Sequence, residues 1–414
     1  MTIKSTFVAG AVFATMSAFS VQAADVVKIG FIDPLSGPFA STGTNGLAQY
    51  QFAAEELVNK KGGILDGVKF EIVPYDNKIS PKESLVQLKR AIGEDVHYIV
   101  QGNSSGVANA LTDAIKKHNR RNPDSRVLFL NYSAVDPALT NEKCNYWHFR
   151  FDANADIKMN ALTEVIKVRD DIKKVYLIGQ DYSFGKAVAK AAVTFLKQKR
   201  PDITIVGNEL HPIGKVKDFT PYATKIRASG ADAVITGNWG ADMVGLGKAI
   251  GDTGLDIPIY TYYAANDGIT KTIGEGGKDK IRLVHEGPVN PPSTPEYSAY
   301  HTAFKAKFPE KDVSQFRIAN VIGMLAAAME KAGSTKPIDV AAQLEGMEFT
   351  TLHGENVVMR AEDHQLIQPI HVSVHTNEGI TFDSDNSGYG MKTEMSVAAA
   401  DTALPTTCKM KRPK

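Results

Sequence analysis

A short turn, Gly102-Asn-Ser-Ser-Gly106, contains the residues of this sequence best suited to chemistry. It follows an apolar, β-prone run that ends at Val100, and it precedes apolar residues at helical spacing. A strand that turns into a helix through Gly and Ser presents backbone N–H groups, hydroxyls and the positive end of the helix dipole, which suit a carboxylate. The same pattern, Gly102-x-Ser104-x-Gly106, also matches the nucleophile turn of α/β hydrolases. The turn therefore either holds an anion or attacks a carbonyl.

Catalysis by Ser104 would need an acid and a histidine on later strand-end loops. His285 and His353 lie in suitable turns, but no oxyanion motif of the His-Gly-Gly kind precedes Ser104. The residue types favour binding over catalysis and predict that the protein is not an enzyme. An exported hydrolase that uses Ser104 remains the alternative.

Two further patterns could indicate cofactor or metal sites. Gly245-x-Gly247-x-x-x-Gly251 superficially matches a dinucleotide fingerprint, but the spacing is wrong and the glycines lie inside a predicted helix. His371 and His375 share one face of a predicted strand but lie roughly 13 Å apart at about 3.3 Å per residue, too far to share a metal ion. We expect no cofactor and no metal, and we interpret the two histidines as exposed strand residues.

Several aromatic side chains occupy predicted loops where they can contact a ligand. Trp239 lies in a Gly-Asn-Trp-Gly loop, which is a poor position for core packing and a good one for stacking on a ligand. Tyr182 and Phe184 lie in a similar loop, and we expect one of them only to pack. Tyr262 and Tyr263 end a strand, so alternation directs only one of them to the ligand side.

These loops join strands and helices that alternate along the chain. The alternation runs near 26–131 and again near 174–263, which predicts two α/β lobes with parallel sheets. In open α/β sheets, ligands bind beyond the carboxyl ends of the strands. The predicted loops at those ends are 33–43, 102–106, 131–136, 180–185, 237–242 and 261–268. From Ser384 the sequence is polar and predicts an irregular extension.

The first residues resemble a targeting segment. Lys4 is the only charge before Asp25, Phe7–Phe19 is apolar but too short to span a bilayer, and small residues precede a cut after Ala23. We expect a secretory signal at 1–23 and an exported protein without a lipid anchor.

Charge and cysteine content limit the function classes further. The chain has 414 residues with 47 basic and 46 acidic side chains, and losing Lys4 makes the balance even, so nothing suggests nucleic acid binding. The two cysteines, Cys144 and Cys408, are either a disulfide, which an oxidising compartment favours, or two separate thiols. The simplest expectation for the assembly is a monomer.

Several segments in order along the chain resemble one known family. They are Lys28-Ile-Gly-Phe-Ile-Asp-Pro-Leu-Ser-Gly-Pro38, Glu55-Glu-Leu-Val-Asn-Lys-Lys-Gly-Gly-Ile64, Tyr75-Asp-Asn77, the Ser104-Ser105 turn and Asp181-Tyr-Ser-Phe-Gly185. From about Val26 to His375, the chain resembles the periplasmic leucine/isoleucine/valine-binding proteins of ABC transporters. These are type I bilobed solute-binding proteins of the extracellular ligand-binding-receptor family.

The resemblance implies an α/β fold of two lobes, each a mostly parallel sheet flanked by helices, joined by three crossover strands. It places lobe 1 at 24–148 plus 289–356, lobe 2 at 149–288 plus 357–383, and a C-terminal extension at 384–414. The crossings would lie near 148–152, 284–290 and 355–362. It also implies that the lobes of a periplasmic protein close on a small carboxylate ligand, either an amino acid of the branched-chain or hydrophobic class or an aromatic or other organic acid. The protein would then deliver this ligand to an ABC-transporter membrane permease. A receptor of the same fold that senses rather than transports remains possible.

The resemblance also implies which residues contact the ligand. Ser104 and Ser105, helped by Ser133 and Ala134, would take the carboxylate. The other implied ligand-contact positions are Thr42, in a loop of the first lobe, and Tyr182, Phe184, Trp239 and Tyr263 in the second.

The chain departs from the family at the position of Tyr263. Amino-acid binders usually carry an acidic residue there to hold the α-ammonium group, and Val135 likewise replaces a Thr that often holds the carboxylate. Asp267 is a candidate substitute for the missing acid. Because a buried ammonium without a carboxylate is costly, we expect a carboxylate with an apolar or aromatic body instead of a branched-chain amino acid. Arg317 could add a second contact to an anion, but we interpret it as a structural residue.

Overall fold

Two mostly parallel sheets form the centres of the two lobes. The computed structural model describes Met1 and residues 26–265 and 268–413; apart from Met1, the predicted signal at 1–23 lies outside the described residues, as does Asp267. The first sheet contains β1 (Val26–Asp33), β2 (Lys69–Asp76), β3 (Tyr98–Gln101), β4 (Leu128–Asn131) and β5 (His148–Arg150). All its pairs are parallel, in the order β2-β1-β3-β4-β5.

Three helices flank this sheet: α1 (Ala40–Leu57), α2 (Pro81–Gly93) and α3 (Ser105–Arg121). Helix α2 begins as its sequence dictates, because Ser80 accepts a hydrogen bond from the N–H of Glu83 and Pro81 occupies the first turn. Strand order reverses between β1 and β3, which opens a crevice at the carboxyl ends of these strands. Asp33 and the Gly102 turn lie at that crevice.

The second sheet repeats the same order and then adds two antiparallel strands. Its parallel strands are β6 (Lys174–Gln180), β7 (Thr204–His211), β8 (Ala233–Thr236), β9 (Ile259–Thr261) and β10 (Ile281–His285), in the order β7-β6-β8-β9-β10. Its helices are α4 (Ala155–Lys167), α5 (Ser183–Lys199), α6 (Thr220–Ala228), α7 (Gly240–Asp252) and α8 (Ile269–Ile273). Its reversal point, between β6 and β8, presents Gln180 and the Trp239 loop.

After β10 the chain returns to the first lobe. It forms α9 (Pro295–Lys307), α10 (Arg317–Ala332), α11 (Pro337–Leu344) and a small antiparallel sheet of β11 (Glu348–Thr350), β12 (Asn356–Met359) and β13 (Leu366–Ile367). The lobes are thus joined at 151–154, 286–294 and 368–369. The third crossing differs from the expected 355–362, because Val357, Met359 and Leu366 pack in the first-lobe core.

The polar C-terminal segment is ordered into regular structure, contrary to the predicted irregular extension. Strand β14 (Ile370–Thr376) pairs antiparallel with β10 on one side and with β15 (Gly390–Val397) on the other. The prediction of exposed histidines on β14 is also wrong. His371 is hydrogen-bonded to Glu355 and Ser396, and His375 is hydrogen-bonded to the carbonyl of Gly274 and stacks on the ring of Tyr389; both histidines are buried.

The last described residues, 399–413, form a segment that we term the C-terminal strap. It begins with α12 (Ala399–Thr402), which packs on α4 of the second lobe. It then passes back to the first lobe, where Thr406 donates to the carbonyl of Thr140 and Arg412 pairs with Glu345. A disulfide between Cys144 and Cys408, with a Cα–Cα distance of 5.8 Å, fastens the strap to the first lobe.

Hydropathy sets one further bound on the fold. None of the helices in the described part of the chain is both long and apolar enough to cross a membrane.

Candidate ligand site between the lobes

A cavity lies where the carboxyl ends of the two sheets face each other. Its lining comprises Thr42, Gly102, Asn103, Ser104, Ser105, Ser133, Ala134, Val135, Tyr182, Phe184, Trp239, Gly240, Tyr263, Gln315 and Arg317. The nine residues that the sequence singled out for ligand contact are all in this lining.

The position of Thr42 differs in detail from the expectation. Helix α1 begins at Ala40, so Thr42 lies in its first turn instead of in a loop. Phe184 likewise lies in the first turn of α5, with Tyr182 as the residue that precedes the helix. Both changes follow from helices that begin a few residues earlier than their apolar periodicity indicates.

The turn at the end of β3 is held by a buried carboxylate. Asp33 accepts hydrogen bonds from the backbone N–H groups of Gly102 (3.0 Å) and Asn103 (2.9 Å) and from the hydroxyl of Tyr132 (2.7 Å). Two of the N–H groups that the sequence offered to a ligand are therefore used within the protein. Ser104 has a φ of 78°, a conformation that non-glycine residues rarely adopt, and directs the chain into α3. The start of α3 at Ser105 remains available to an anion.

Burial controls the ionisation of this carboxylate. Desolvation raises the pKa of Asp33 to about 7, against hydrogen bonds from Tyr132, Asn103 and Gly102 that lower it. In an unfolded chain the ordinary value is 3.8, so the folded protein binds this proton more tightly. The stability that Asp33 contributes is therefore fully present below about pH 4 and is lost as the pH rises towards 7.

We predict a pH-dependent difference between the wild type and Asp33→Asn, which does not titrate at this position. One pKa unit corresponds to about 1.4 kcal/mol, so the unfolding free energy of the wild type relative to the variant should fall by up to about 4 kcal/mol between pH 4 and 7.5. Urea unfolding at fixed pH values measures this, with Asp113→Asn on the exposed face of α3 as the control. A difference that stays constant with pH would contradict the assignment.

Aromatic rings form the second-lobe wall of the cavity. Trp239 Nε1 donates a hydrogen bond to the hydroxyl of Tyr182 at 2.9 Å, and the ring of Phe184 lies 5.9 Å from the rings of both Tyr182 and Tyr263. The neighbouring Tyr262 is directed away, with its hydroxyl donating to the carbonyl of Ala155. The wall combines flat apolar surface with phenol and indole groups.

One ring from the first lobe reaches across to this wall. The centroid of Phe39 lies 4.3 Å from that of Trp239, and Phe39 belongs to the core of the second lobe. Gly240 has a φ of 57°, and a Cβ there would lie 2.6 Å from the Phe39 ring. A glycine is therefore required at this contact, and the lobes are closed on each other.

Four buried charges lie at the base of the cavity, and we term them the hinge cluster: Asp152, Lys158, Glu286 and Arg317. Lys158 Nζ lies 2.7 Å from Asp152 Oδ1 and 3.4 Å from Glu286 Oε2. Arg317 Nη1 is bonded to Glu286, and Arg317 Nε lies 3.5 Å from Asp152 Oδ2. The acids come from the first two crossings, the lysine from the second lobe and the arginine from the first, so the cluster joins both lobes and two of the three crossings.

The hinge cluster also reaches the lining. Burial raises the pKa of Asp152, whereas at Glu286 the Arg317 and Lys158 cations outweigh burial and lower the pKa. The hydroxyl of Tyr263 lies 3.2 Å from Asp152 Oδ2, and Arg317 Nη2 donates to Ser133 Oγ at 2.9 Å. Arg317 is thus a structural ion-pair residue and a cavity residue at once.

Five lining residues were missed by sequence reasoning about contacts: Gly102, Asn103, Val135, Gly240 and Gln315. Four of them lie within the predicted strand-end loops 102–106, 131–136 and 237–242, but they were not singled out as ligand contacts. Gln315 had no such signal, because it precedes a helix that is distant in sequence from every cleft loop.

The cavity lining does not contain the groups that a serine hydrolase needs. No histidine and no carboxylate is among the described residues that line it. His285 is bound to Ser373 and His353 to Ser293, both away from Ser104. Within the described ranges, no group of three or more His, Cys, Asp or Glu side chains is arranged to hold a metal ion.

Comparison with known proteins identifies the family. Residues 26–378 match the family described as periplasmic binding protein. The chain belongs to this family. The binding protein is similar to Leu/Ile/Val-binding protein homolog 4 of Brucella abortus, with 31% identity over 426 residues that cover 100% of both chains. It is a periplasmic binding protein of the ABC-transporter type.

Solved structures share the two-lobed fold. A leucine-, isoleucine-, valine-, threonine- and alanine-binding protein from Brucella ovis, solved in a closed conformation, is 29% identical, with a TM-score of 0.83 over 94% of this chain and 100% of that one. A solute-binding protein from Rhodopseudomonas palustris HaA2, solved with p-hydroxybenzoic acid, is 20% identical, with a TM-score of 0.75 over 91% and 98%. The likeness to the second protein concerns the fold alone.

Proposed function

We propose that this binding protein captures a small carboxylate with an aromatic or other apolar body, lacking an α-ammonium group, and delivers it to an ABC-transporter permease. The observation that carries the proposal is the charge of the lining. Arg317 is its one charged residue, and no described lining residue is acidic. The ligand is held and released without any bond being broken.

The carboxylate would lie against the Ser104 turn. Ser104 and Ser105 stand at the start of α3, a helix of 17 residues whose positive dipole end favours an anion. Ser133 and Ala134 follow β4, the neighbouring strand, and Thr42 approaches from α1. Hydrogen bonds to a charged group contribute about 1.5–3 kcal/mol each, and micromolar binding corresponds to about −8 kcal/mol, so burial of the ligand body must contribute as well.

An α-ammonium group would find no charged partner in this lining. Tyr263 occupies the position at which the family usually places an acid, and its hydroxyl contacts Asp152. Asp152 itself is fully buried and already faces Lys158 and Arg317. Taking an ammonium out of water without a free carboxylate costs several kcal/mol, which disfavours amino acids.

The ligand body would contact the aromatic wall. Trp239, Phe184, Tyr182 and Tyr263 offer ring faces and edges, and an aromatic pair adds about 0.5–1.5 kcal/mol beyond its buried area. The p-hydroxybenzoic acid complex from Rhodopseudomonas palustris supports this choice, since a protein of the same fold accommodates an aromatic acid.

The cellular setting of the proposal follows the family and the first residues of the sequence. We place the protein in the periplasm, exported by the signal at 1–23 and cleaved after Ala23. We further propose that it acts as a monomer, because one closed cavity contains the whole binding surface.

The test uses ligand pairs that differ only in the α-ammonium group. Isothermal titration calorimetry should show 3-phenylpropionate binding at least about tenfold more tightly than phenylalanine, a difference of about 1.4 kcal/mol, and 4-methylpentanoate more tightly than leucine. Ser104→Ala should weaken 3-phenylpropionate binding by about tenfold or more, because a charge-assisted hydrogen bond is lost. Ser41→Ala, on the exposed side of α1, is the matched control and should change nothing. Tighter binding of the amino acid in both pairs would reject the proposal.

A further inference from the structure

Gln315 is a polar residue of the cavity lining that belongs neither to the Ser104 turn nor to the aromatic wall. Gln315 lies two residues before Arg317, in the segment that leads into α10. Its side chain is 2% exposed and lines the cavity. Its backbone N–H donates to Gln49 Oε1 at 3.1 Å, which fixes Gln315 against α1.

The side-chain oxygen of Gln315 has no hydrogen-bond partner among the described residues, although it is buried. A buried amide oxygen without a partner costs about 1–3 kcal/mol, so such groups are rare in folded proteins and point to an absent partner. The side chain of Gln315 is thus more than nine-tenths buried, and its acceptor atom Oε1 has no partner among the described residues. A ligand in the cavity is the natural source of that partner.

The neighbours of Gln315 restrict what the partner can be. Arg317 Nη1 and Nη2 donate to Glu286 and Ser133. The charge of the guanidinium is balanced by Glu286 and Asp152, so a second anion would meet no uncompensated cation there. An ammonium beside Gln315 would face the charge of Arg317 two residues away. A neutral hydroxyl carries no charge and so suits this position better than an anion or an ammonium group. It can donate to Oε1 of Gln315 or, after rotation of the amide, accept from Nε2.

We propose that Gln315 is a specificity-determining residue that recognises a hydroxyl group on the ligand, in addition to the carboxylate held at the Ser104 turn. The ligand class is therefore the hydroxylated carboxylates with an aromatic body. This inference rests on the proposed function. A site that presents a buried polar group discriminates strongly against an analogue that lacks the matching group, because the protein atom is then left unpaired.

The experiment measures hydroxyl preference on two scaffolds by isothermal titration calorimetry. The probes are 3- and 4-hydroxybenzoate against 3- and 4-methylbenzoate, and 3-(4-hydroxyphenyl)propionate against 3-(4-methylphenyl)propionate. The methyl group is close to the hydroxyl in size and makes no hydrogen bond. The wild type should bind at least one hydroxylated probe about tenfold or more tightly than its methyl counterpart.

Substitution of Gln315 then tests which residue reads the hydroxyl. Gln315→Leu and, as a second variant, Gln315→Met should lose the hydroxyl preference while still binding the methyl probes. Gln51→Leu, on the exposed face of helix α1, is the matched control and should keep the hydroxyl preference. Absence of a hydroxyl preference in the wild type on both scaffolds, or its persistence in Gln315→Leu, overturns the inference.

The two proposals fail in distinguishable ways. Equal binding of hydroxyl and methyl probes, with 3-phenylpropionate still preferred over phenylalanine, removes only the role of Gln315. Preference for the amino acids over their deaminated counterparts removes the proposed function and the inference with it.

Discussion

Replacing Arg317 with methionine should lower the free energy of unfolding by about 3–5 kcal/mol. The arginine is 3% exposed and faces both Glu286 and Asp152 in the hinge cluster. Its removal leaves two buried carboxylates with Lys158 as their one cation, and an uncompensated buried charge is strongly destabilising. Urea unfolding followed by circular dichroism at pH 7 measures the loss.

A matched control separates the buried network from an ordinary surface ion pair. Arg90 pairs with Glu94 on α2, with side-chain exposures of 63% and 42%. Arg90→Met should therefore cost no more than about 1 kcal/mol. Equal losses for the two variants would show that burial of the hinge cluster has no energetic consequence.

The double variant Arg317→Met/Glu286→Gln tests the pairing itself. It removes one cation and one anion and leaves Asp152 with Lys158 at 2.7 Å. Because neutrality is restored, its loss should be smaller than the sum of the two single losses by about 0.5–3 kcal/mol. Strictly additive losses would contradict a direct interaction between the two residues.

The second large effect concerns the disulfide between Cys144 and Cys408. It closes a loop with a sequence separation of 264 residues, for which chain entropy alone corresponds to on the order of 5 kcal/mol. The variant Cys144→Ser/Cys408→Ser should unfold at lower urea concentration than the oxidised wild type, with a loss of about 2–5 kcal/mol.

Reduction provides the control for this prediction. Dithiothreitol should bring the wild type to the stability of the double serine variant and leave that variant unchanged. Hydrogen bonds from Thr407 to Asn141 and from Arg412 to Glu345 still hold the strap after reduction, so the fold itself should persist. An oxidised wild type that is no more stable than the reduced one would contradict a stabilising cross-link.

The architecture could be predicted from the sequence because its signals are local. Alternating strands and helices near 26–131 and 174–263 predicted the two parallel sheets, and the rule that ligands lie at strand carboxyl ends predicted which loops meet. Ser104, Ser133 and Trp239 were found in this way, since each directly follows a buried strand.

The incorrect structural predictions concern segments whose structure depends on strand pairing between residues distant in sequence. Strand β15 has a polar sequence and forms because β14 offers it an edge, with seven paired positions. Val357 and Leu366 have the same residue types as second-lobe strands, and only the three-stranded sheet assigns them to the first lobe.

The contacts that hold the lining residues in place could not be predicted from the sequence either. Asp33 appeared as part of a loop, but its bonds to Gly102 and Asn103 span 69 and 70 residues. Gln315 reaches the cavity only because α10 packs against α1. No local pattern encodes such contacts, so the second layer of the site had to be read from the structure.

The path of the C-terminal strap determines how lobe motion can be reported by fluorescence. A dye attached at Arg412 would move with the first lobe, although the preceding β15 belongs to the second sheet. Energy transfer from that dye to one at Val193, an exposed residue of α5 in the second lobe, would follow opening and closing. A donor at Arg412 and an acceptor on α2 would instead give a constant signal, because both sites belong to the first lobe.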